Sequence, residues 1–461
     1  MRPLRRCPWG QRGAVRHIRE LRAGTPRGGL ASADPCAPAA PTGCAAVDGG
    51  LREVSDGRFP RSRQPLSRPY CSMATSRRHQ EQHFMPFRFI HASDLHLGRR
   101  FANIPDPGDN GVRGRLMDAR HNVIARLAEV ARAQGARDIL LAGDTFDSST
   151  PSQQVLTQTL HALAGHTDLH WWLLPGNHDN LLNAEPLWHQ ISTQASDNVH
   201  PILSGDSLEP AVGVALLPCP VTARRVGRDL TAALPDIATP AESIRIGLAH
   251  GGMLDFTDTG EQIPPDRDRS AGLDYLALGD WHGRLRVSAR THYCGTPEHD
   301  RFKHEGRGKC LAVSIDGPGA EPQVEAIETG TFLWLQRELH LQEGAPAAPA
   351  LEALLPGIEQ RRNTLVQVTA RGLAALTEHA ALHEAVARHA PGFAHFTLRA
   401  EALETLHRAE DLDQIERVGA IRQAAEALMA EATSPDRSRA ERDIATAALN
   451  RLYTYTRGSA E

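Results

Sequence analysis

Five short segments concentrate side chains able to hold a divalent cation: Asp94-x-His96, Gly143-Asp144-x-x-Asp147, Gly176-Asn177-His178-Asp179, Ala249-His250-Gly251 and Gly279-Asp280-Trp281-His282. Carboxylate, imidazole and amide oxygen, without thiolate, suit manganese, iron or zinc with coordination positions left open. One carboxylate shared between two ions about 3.5–4 Å apart is the arrangement for in-line displacement at phosphorus. Each segment alone is weak evidence. An Asp-x-His pair is often a solvated turn, Gly-Asp is common in loops, and a lone His250 or His282 suits a core or surface role. Gly-Asn-His-Asp directly after an apolar run needs a stronger reason. All five in succession, each at the end of an apolar run, point to one metal centre.

Those runs read as strands, and the stretches between several of them read as helices. Phe87–Ala92 is a buried strand leading into Asp94, and Asp138–Ala142 is a second, leading into Asp144. Leu169–Leu174 is a third, leading into Asn177. Helical spacing of Val123, Leu127 and Val130 predicts a helix from about Asp118 to Gln134, stopped by Gly135. Gln153 to Ala164 predicts another. Further strands are expected at Val212–Leu217, Arg245–Ala249 and Tyr275–Leu278, and a hairpin-rich sheet from about Lys309 to Leu341. Strand, polar loop, helix, repeated, is the pattern of an α/β layered fold, whose ligand sites lie at the carboxyl ends of strands. Gly344 to Pro349 reads as a linker. Beyond it, Thr364–Thr369, Leu376–His389 and Ala394–Arg399 form a strand–helix–strand unit, and helices follow near Asp411–Ala432 and Ser438–Tyr455.

Composition sets the outer limits. The 461 residues are 41% hydrophobic and 23% charged, ordinary for a globular protein, and no uninterrupted apolar stretch is long enough to cross a membrane. The net charge of −4 hides an asymmetry: residues 1–84 hold 15 Arg, no Lys and 6 acidic residues. That leader also carries Cys7, Cys36, Cys44 and Cys71, lacks hydrophobic periodicity, and is expected to be disordered or to precede the true start at Met85. Its arginine excess also resembles an organellar transit peptide or a basic nucleic-acid-binding tail. Cys219, Cys294 and Cys310 are scattered singly and match no metal or redox spacing, which suits a reduced, cytoplasmic protein.

With its five blocks in this order across residues 89–283, the chain resembles the calcineurin-like metallophosphoesterases. The resemblance implies a layered β-sandwich flanked by helices, within the α/β class, and hydrolysis of phosphoric esters at two divalent metal ions. It places Asp94, His96, Asp144 and His282 around one ion, and Asp144, Asn177, His250 and Asp280 around the other. His178 then acts on the scissile phosphate or leaving group, with the Asp147 carboxylate as its expected orienting partner. One departure is Gly279-Asp280-Trp281-His282 where the family usually has Gly-His-x-His. A carboxylate at position 280 adds negative charge and favours a harder ion such as manganese.

Within that family the closest resemblance is to SbcD-like DNA repair exonucleases. It is carried by His91-Ala-Ser-Asp-Leu-His-Leu-Gly98, by Tyr275-Leu-Ala-Leu-Gly279, and by Tyr293-Cys-Gly-Thr-Pro297 followed by the strand Gly308–Ile315. The resemblance implies a catalytic domain over 85–343, a cap-like α+β domain over 344–404, and a C-terminal helical segment over 405–461. It also implies DNA as substrate, an SMC-like (SbcC-type) ATPase as partner, and a homodimer. Apolar stripes at Ile415, Val418, Ile421, Ala425 and Leu428, and at Ile444, Ala448, Leu452 and Tyr455, would serve packing or docking. Arg99, Arg100 and Arg284, with Arg286, Arg301, Lys303, Arg307 and Lys309, gather beside the motif loops and would contact the DNA backbone. Two other readings use the same residues: a phosphoesterase acting on a nucleotide or other small ester, and a catalytically idle adaptor.

Overall fold

Runs such as Phe87–Ala92 and Tyr275–Gly279, apolar at nearly every position, cannot leave either face in water, so they belong inside a layered structure. The computed structural model describes residues 85–105, 111–253, 262–413, 415 and 418–458, and the expectations for residues 1–84 lie outside these. Strands β1 (Phe87–Ala92), β2 (Asp138–Leu141), β3 (His170–Leu173) and β4 (Val199–Pro201) pair in parallel. Strands β5 (Val214–Cys219), β6 (Ile244–His250) and β7 (Tyr275–Gly279) begin a second sheet, also parallel. The short β8 (Leu285–Arg286) closes it, antiparallel to β9 (Thr291–Tyr293), in the order β5-β6-β7-β9-β8. Strand β10 (Lys309–Ile315) returns to the first sheet antiparallel to β1 and carries β11 (Gln323–Glu328), giving β11-β10-β1-β2-β3-β4.

The two sheets stack face to face. Phe89, Leu140 and Trp172 from the first meet Leu216, Leu248 and Tyr275 from the second in one apolar core. Their neighbours Ile90, Ile139 and Trp171 point the other way, because successive strand residues alternate faces. There they meet helices α1 (Val112–Ala133), α2 (Gln153–Ala164) and α3 (Glu185–Gln194) through Leu127, Leu160 and Trp188. Each large apolar side chain so buried contributes roughly 1.5–3 kcal/mol. The expected mixed α/β architecture of layered sheets flanked by helices is what the chain adopts.

Three expectations change. Helix α1 starts at Val112 rather than Asp118, because Val112 and Leu116 pack on Phe101, Phe332 and Trp334. The hairpin ends at β11. The next strand, β12 (Leu333–Leu341), instead pairs in parallel with β13 (Thr364–Ala375), which pairs in parallel with β14 (His395–Leu406). The smaller sheet therefore begins ahead of the linker at Gly344. Third, the helix expected from Asp411 begins at Ala420, after Gly419 at φ 122°, and runs to Thr433. It and the last helix, Arg439–Gly458, pack on the helix Leu376–His389 through Ala425, Leu449 and Tyr453. Among the described residues no helix is long and apolar enough to cross a membrane.

Candidate metal centre

The five segments leave strands β1, β2, β3, β6 and β7 at the same edge of the sandwich. Parallel pairing of β1 with β2 and of β6 with β7 sets neighbouring exits side by side. Asp94 N donates to Gly143 O at 3.0 Å and His96 N to Asp144 O at 3.0 Å, so the first two loops are stitched together. Four presumed ligands, Asp94 (φ 56°), His96 (44°), Asp144 (53°) and Asp280 (96°), hold left-handed backbone that costs a non-glycine residue about 1–3 kcal/mol. The glycines of the segments give the room. A Cβ on Gly143 would overlap the His250 ring, and one on Gly279 would overlap Ala142 O, with His250 Nδ1 at 2.8 Å.

The side chains meet. Ligand atoms of Asp94, His96 and His282 lie within 4.8 Å of one another, and so do those of Asp94, Asp144 and His250. Asp144 Oδ2 is 3.6 Å from both His96 Nε2 and His250 Nε2, between the two clusters. Asp280 Oδ1 lies 3.8 Å from His250 Nε2 and accepts the Asn177 amide at 2.9 Å. All seven presumed ligands thus share one crevice, Asp280 included.

Proton bookkeeping shows what the crevice is built to hold. A carbonyl only accepts, so His250 Nδ1, 2.8 Å from Ala142 O, carries a proton and turns Nε2 into the crevice. His282 Nδ1 faces the Asp300 carboxylate at 3.1 Å, with the same consequence, while His96 Nδ1 lies 3.3 Å from Asp147 Oδ1. The Nε2 atoms of His96 and His282 meet at 3.1 Å. Asp94 Oδ1 and His250 Nε2 are buried without a hydrogen-bond partner. Buried ligand atoms left without partners in one crevice fit a cation.

Electrostatics agree. Burial pushes Asp144 up to about 7, with Asp94 and Asp280 adding to the rise against the pull of His250. Burial disfavours charge on His250, yet Asp144, Asp94 and Asp280 raise it to about 9. Burial also opposes the Asp94 charge, but His282, His250 and His96 hold its carboxyl below the usual range. Burial lowers His96 to about 4, leaving it neutral, as a metal ligand must be. Acidic groups crowded this closely call for positive charge among them.

Residues 87–307 match the family model described as calcineurin-like phosphoesterase. That match, over just under half of the chain, supports a calcineurin-like phosphoesterase domain there. The family is one of hydrolases that use divalent metals, and the donor set described above is the domain's candidate for holding them. No curated protein matches the chain. Among solved structures it is similar to the crystal structure of TT1561 of Thermus thermophilus, at 11% identity. That match covers 53% of this chain and 100% of that one, with a TM-score of 0.34.

Beside the ligands, His178 is half-buried at a cavity of about 220 Å³ over the crevice, which Trp281, Arg301, Lys303 and His304 also line. Its backbone N–H donates to Asp144 Oδ1 at 2.8 Å, and its Nδ1 donates to the Asp147 carbonyl at 2.8 Å. The expected Asp147 carboxylate partner is therefore corrected: Asp147 orients His178 through its main chain. Its carboxylate is already taken by His96 and Arg99. The Arg99 guanidinium ties Asp147 to Asp300 at 3.1 Å each and lines a second cavity. Arg100 is exposed at that cavity, of about 1050 Å³ beside Asp147, and Arg284 is exposed outside the lining of either cavity. Sequence reasoning missed Asp300, buried beside His282, and Asp179, which accepts from Phe146 N at 3.0 Å and Gly176 N at 2.7 Å. Asp179 stood inside a quoted motif. Asp300 follows no strand exit, and no spacing marks it.

Proposed function

We propose that this chain hydrolyses DNA phosphodiesters at two divalent cations, manganese favoured, as a repair nuclease working with an SMC-like ATPase of the SbcC type. The observation that carries the hydrolase part is the convergence of the His96 and His282 Nε2 atoms on the partnerless Asp94 Oδ1, at 3.9 and 3.8 Å. Asp94, His96, Asp144 and His282 would hold one cation, and Asp144, Asn177, His250 and Asp280 the other. When bound, the ions supply Lewis acidity and a nucleophile drawn from water. The carboxylate at position 280 adds oxygen to the donor set and supports manganese.

His178 supplies the proton. With Nδ1–H anchored on the Asp147 carbonyl, Nε2 is the remaining ring nitrogen, and in the imidazolium form its proton would pass to the leaving oxygen. DNA as the substrate is supported by the SbcD-like segments and by the additional sheet and helices that follow the hydrolase domain. Val418, Ile421, Ile444 and Tyr455 are exposed on or beside the last helices, which supports a docking role there. Three free, buried cysteines suit a reducing cytoplasm.

A panel of single-stranded DNA, a cyclic nucleotide and a phosphopeptide, each with Mn2+-loaded protein, tests the reading. Cleavage of DNA in preference to the other two is expected. Turnover of either small substrate with DNA untouched would replace the nuclease reading by another phosphoesterase activity.

A further inference from the structure

The two imidazoles that face each other across the first cation position are held from behind by a single connected structure. His96 Nδ1 meets Asp147 Oδ1 at 3.3 Å, and the same oxygen meets Arg99 Nη1 at 3.1 Å. The other nitrogen of that guanidinium, Nη2, meets Asp300 Oδ2 at 3.1 Å, and Asp300 Oδ1 meets His282 Nδ1 at 3.1 Å. His96 Nε2 and His282 Nε2 then close the ring at 3.1 Å. One guanidinium thus spans two carboxylates, one hydrogen-bonded to His282 Nδ1 and the other 3.3 Å behind His96 Nδ1. Asp300 is 1% exposed, and Arg301 adds a second donor pair at 3.1 and 3.2 Å. The imidazole of the second position has no such support. His250 rests on the main-chain carbonyl of Ala142.

We propose that Asp300 and Arg99 are positioning residues that set the affinity of one cation position and not of the other. This rests on the two-cation reading above. A carboxylate behind a ligating imidazole pins the ring and raises its basicity, and loss of such support costs typically 10–100-fold in metal affinity. Arg99 acts one step further back. Its fork neutralises two carboxylates that would otherwise repel, and it keeps both turned toward the rings. The second position, braced by backbone, does not draw on this ring.

Titration of the metal-stripped full chain with Mn2+, followed by calorimetry, separates the two positions. The wild type is expected to take up two ions. Asp300→Ala and Arg99→Gln should each weaken one of the two by 10–100-fold and leave the other unchanged. Asp300→Asn, which keeps an oxygen for His282 Nδ1, should lose less. Circular dichroism checks that each variant is folded. If Asp300→Ala does not fold, Asp300→Asn and Arg99→Gln carry the test. Folded variants whose isotherms overlay the wild type, or lose both ions equally, overturn the proposal. A wild type that binds no Mn2+ would instead defeat the metal-centre reading beneath it.

Discussion

His178 differs from the three presumed ligand histidines, His96, His250 and His282. The others aim Nε2 at the presumed cations, while His178 touches Asp144 through its backbone and places its ring edge-on to His96, with centroids 4.7 Å apart. Removing that ring leaves the seven ligands and their tautomers in place. His178→Ala should therefore retain Mn2+ and DNA binding while kcat falls by about 10²–10⁴-fold, the usual range for a lost proton donor. Rapid-quench turnover with binding measured separately checks it, and a variant with wild-type kcat would remove His178 from the reaction. The correction at Asp147 belongs to this scale as well. Both residues were legible as partners, but which atom of Asp147 does the work depends on where Arg99 and His96 lie.

Strand exits explain why the ligands come from five separate segments: parallel neighbours end side by side, so each contributes one loop. The cost is close packing of backbone. Gly279→Ala would press a methyl into Ala142 O and toward Ser93 Cβ at 2.8 Å, and should destabilise by roughly 1–3 kcal/mol or more, read from urea unfolding midpoints. A wild-type midpoint would show that β7 has room to shift. A second joint links the hydrolase sandwich to the smaller sheet. Glu298, 1% exposed after β9, accepts from Thr331 N at 2.5 Å and Phe332 N at 3.1 Å, just before β12. Burial raises its carboxyl to about 7, above the unfolded value of about 4.5. The neutral form is thus favoured in the folded state. The resulting stability is fully present below about pH 4.5 and is lost as pH rises through about 7. Relative to Glu298→Gln, the wild type should therefore become less stable between pH 5 and 8. Parallel denaturation curves across that range would refute the assignment.

For the molecule as a whole, the crevice couples cation binding to stability. Crowded, buried carboxylates are unfavourable until positive charge arrives, so chelation should lower the melting temperature and Mn2+ should restore it. Free ion at 100 times its dissociation constant would contribute about 2.7 kcal/mol per site. Differential scanning calorimetry with EDTA and then Mn2+ checks this, and identical melting with and without the ion would count against a cation centre. The last helices bear on partners. Leu449 and Tyr453 form the buried face of the final helix, while Ile444 and Tyr455 of the expected stripe are 69% and 60% exposed. Helical periodicity identified an apolar helix but chose a face one position away from the packed one, because Ala445 and Leu449 are shielded by neighbours that no local pattern reveals.

Residue order alone determined the layered α/β class, the span of β1 and of α2, and the side chains that gather in the crevice. Burial repeats every two residues in strands and about every 3.6 in helices, and cation chemistry admits few donor types. Tertiary structure decided what depends on distant chain segments. It drew β12 out of the expected hairpin into a parallel sheet with β13, and it made Arg99 a link between Asp147 and Asp300. Such pairings join residues far apart in the chain, and a local pattern holds no information about which distant carboxylate a cation will find.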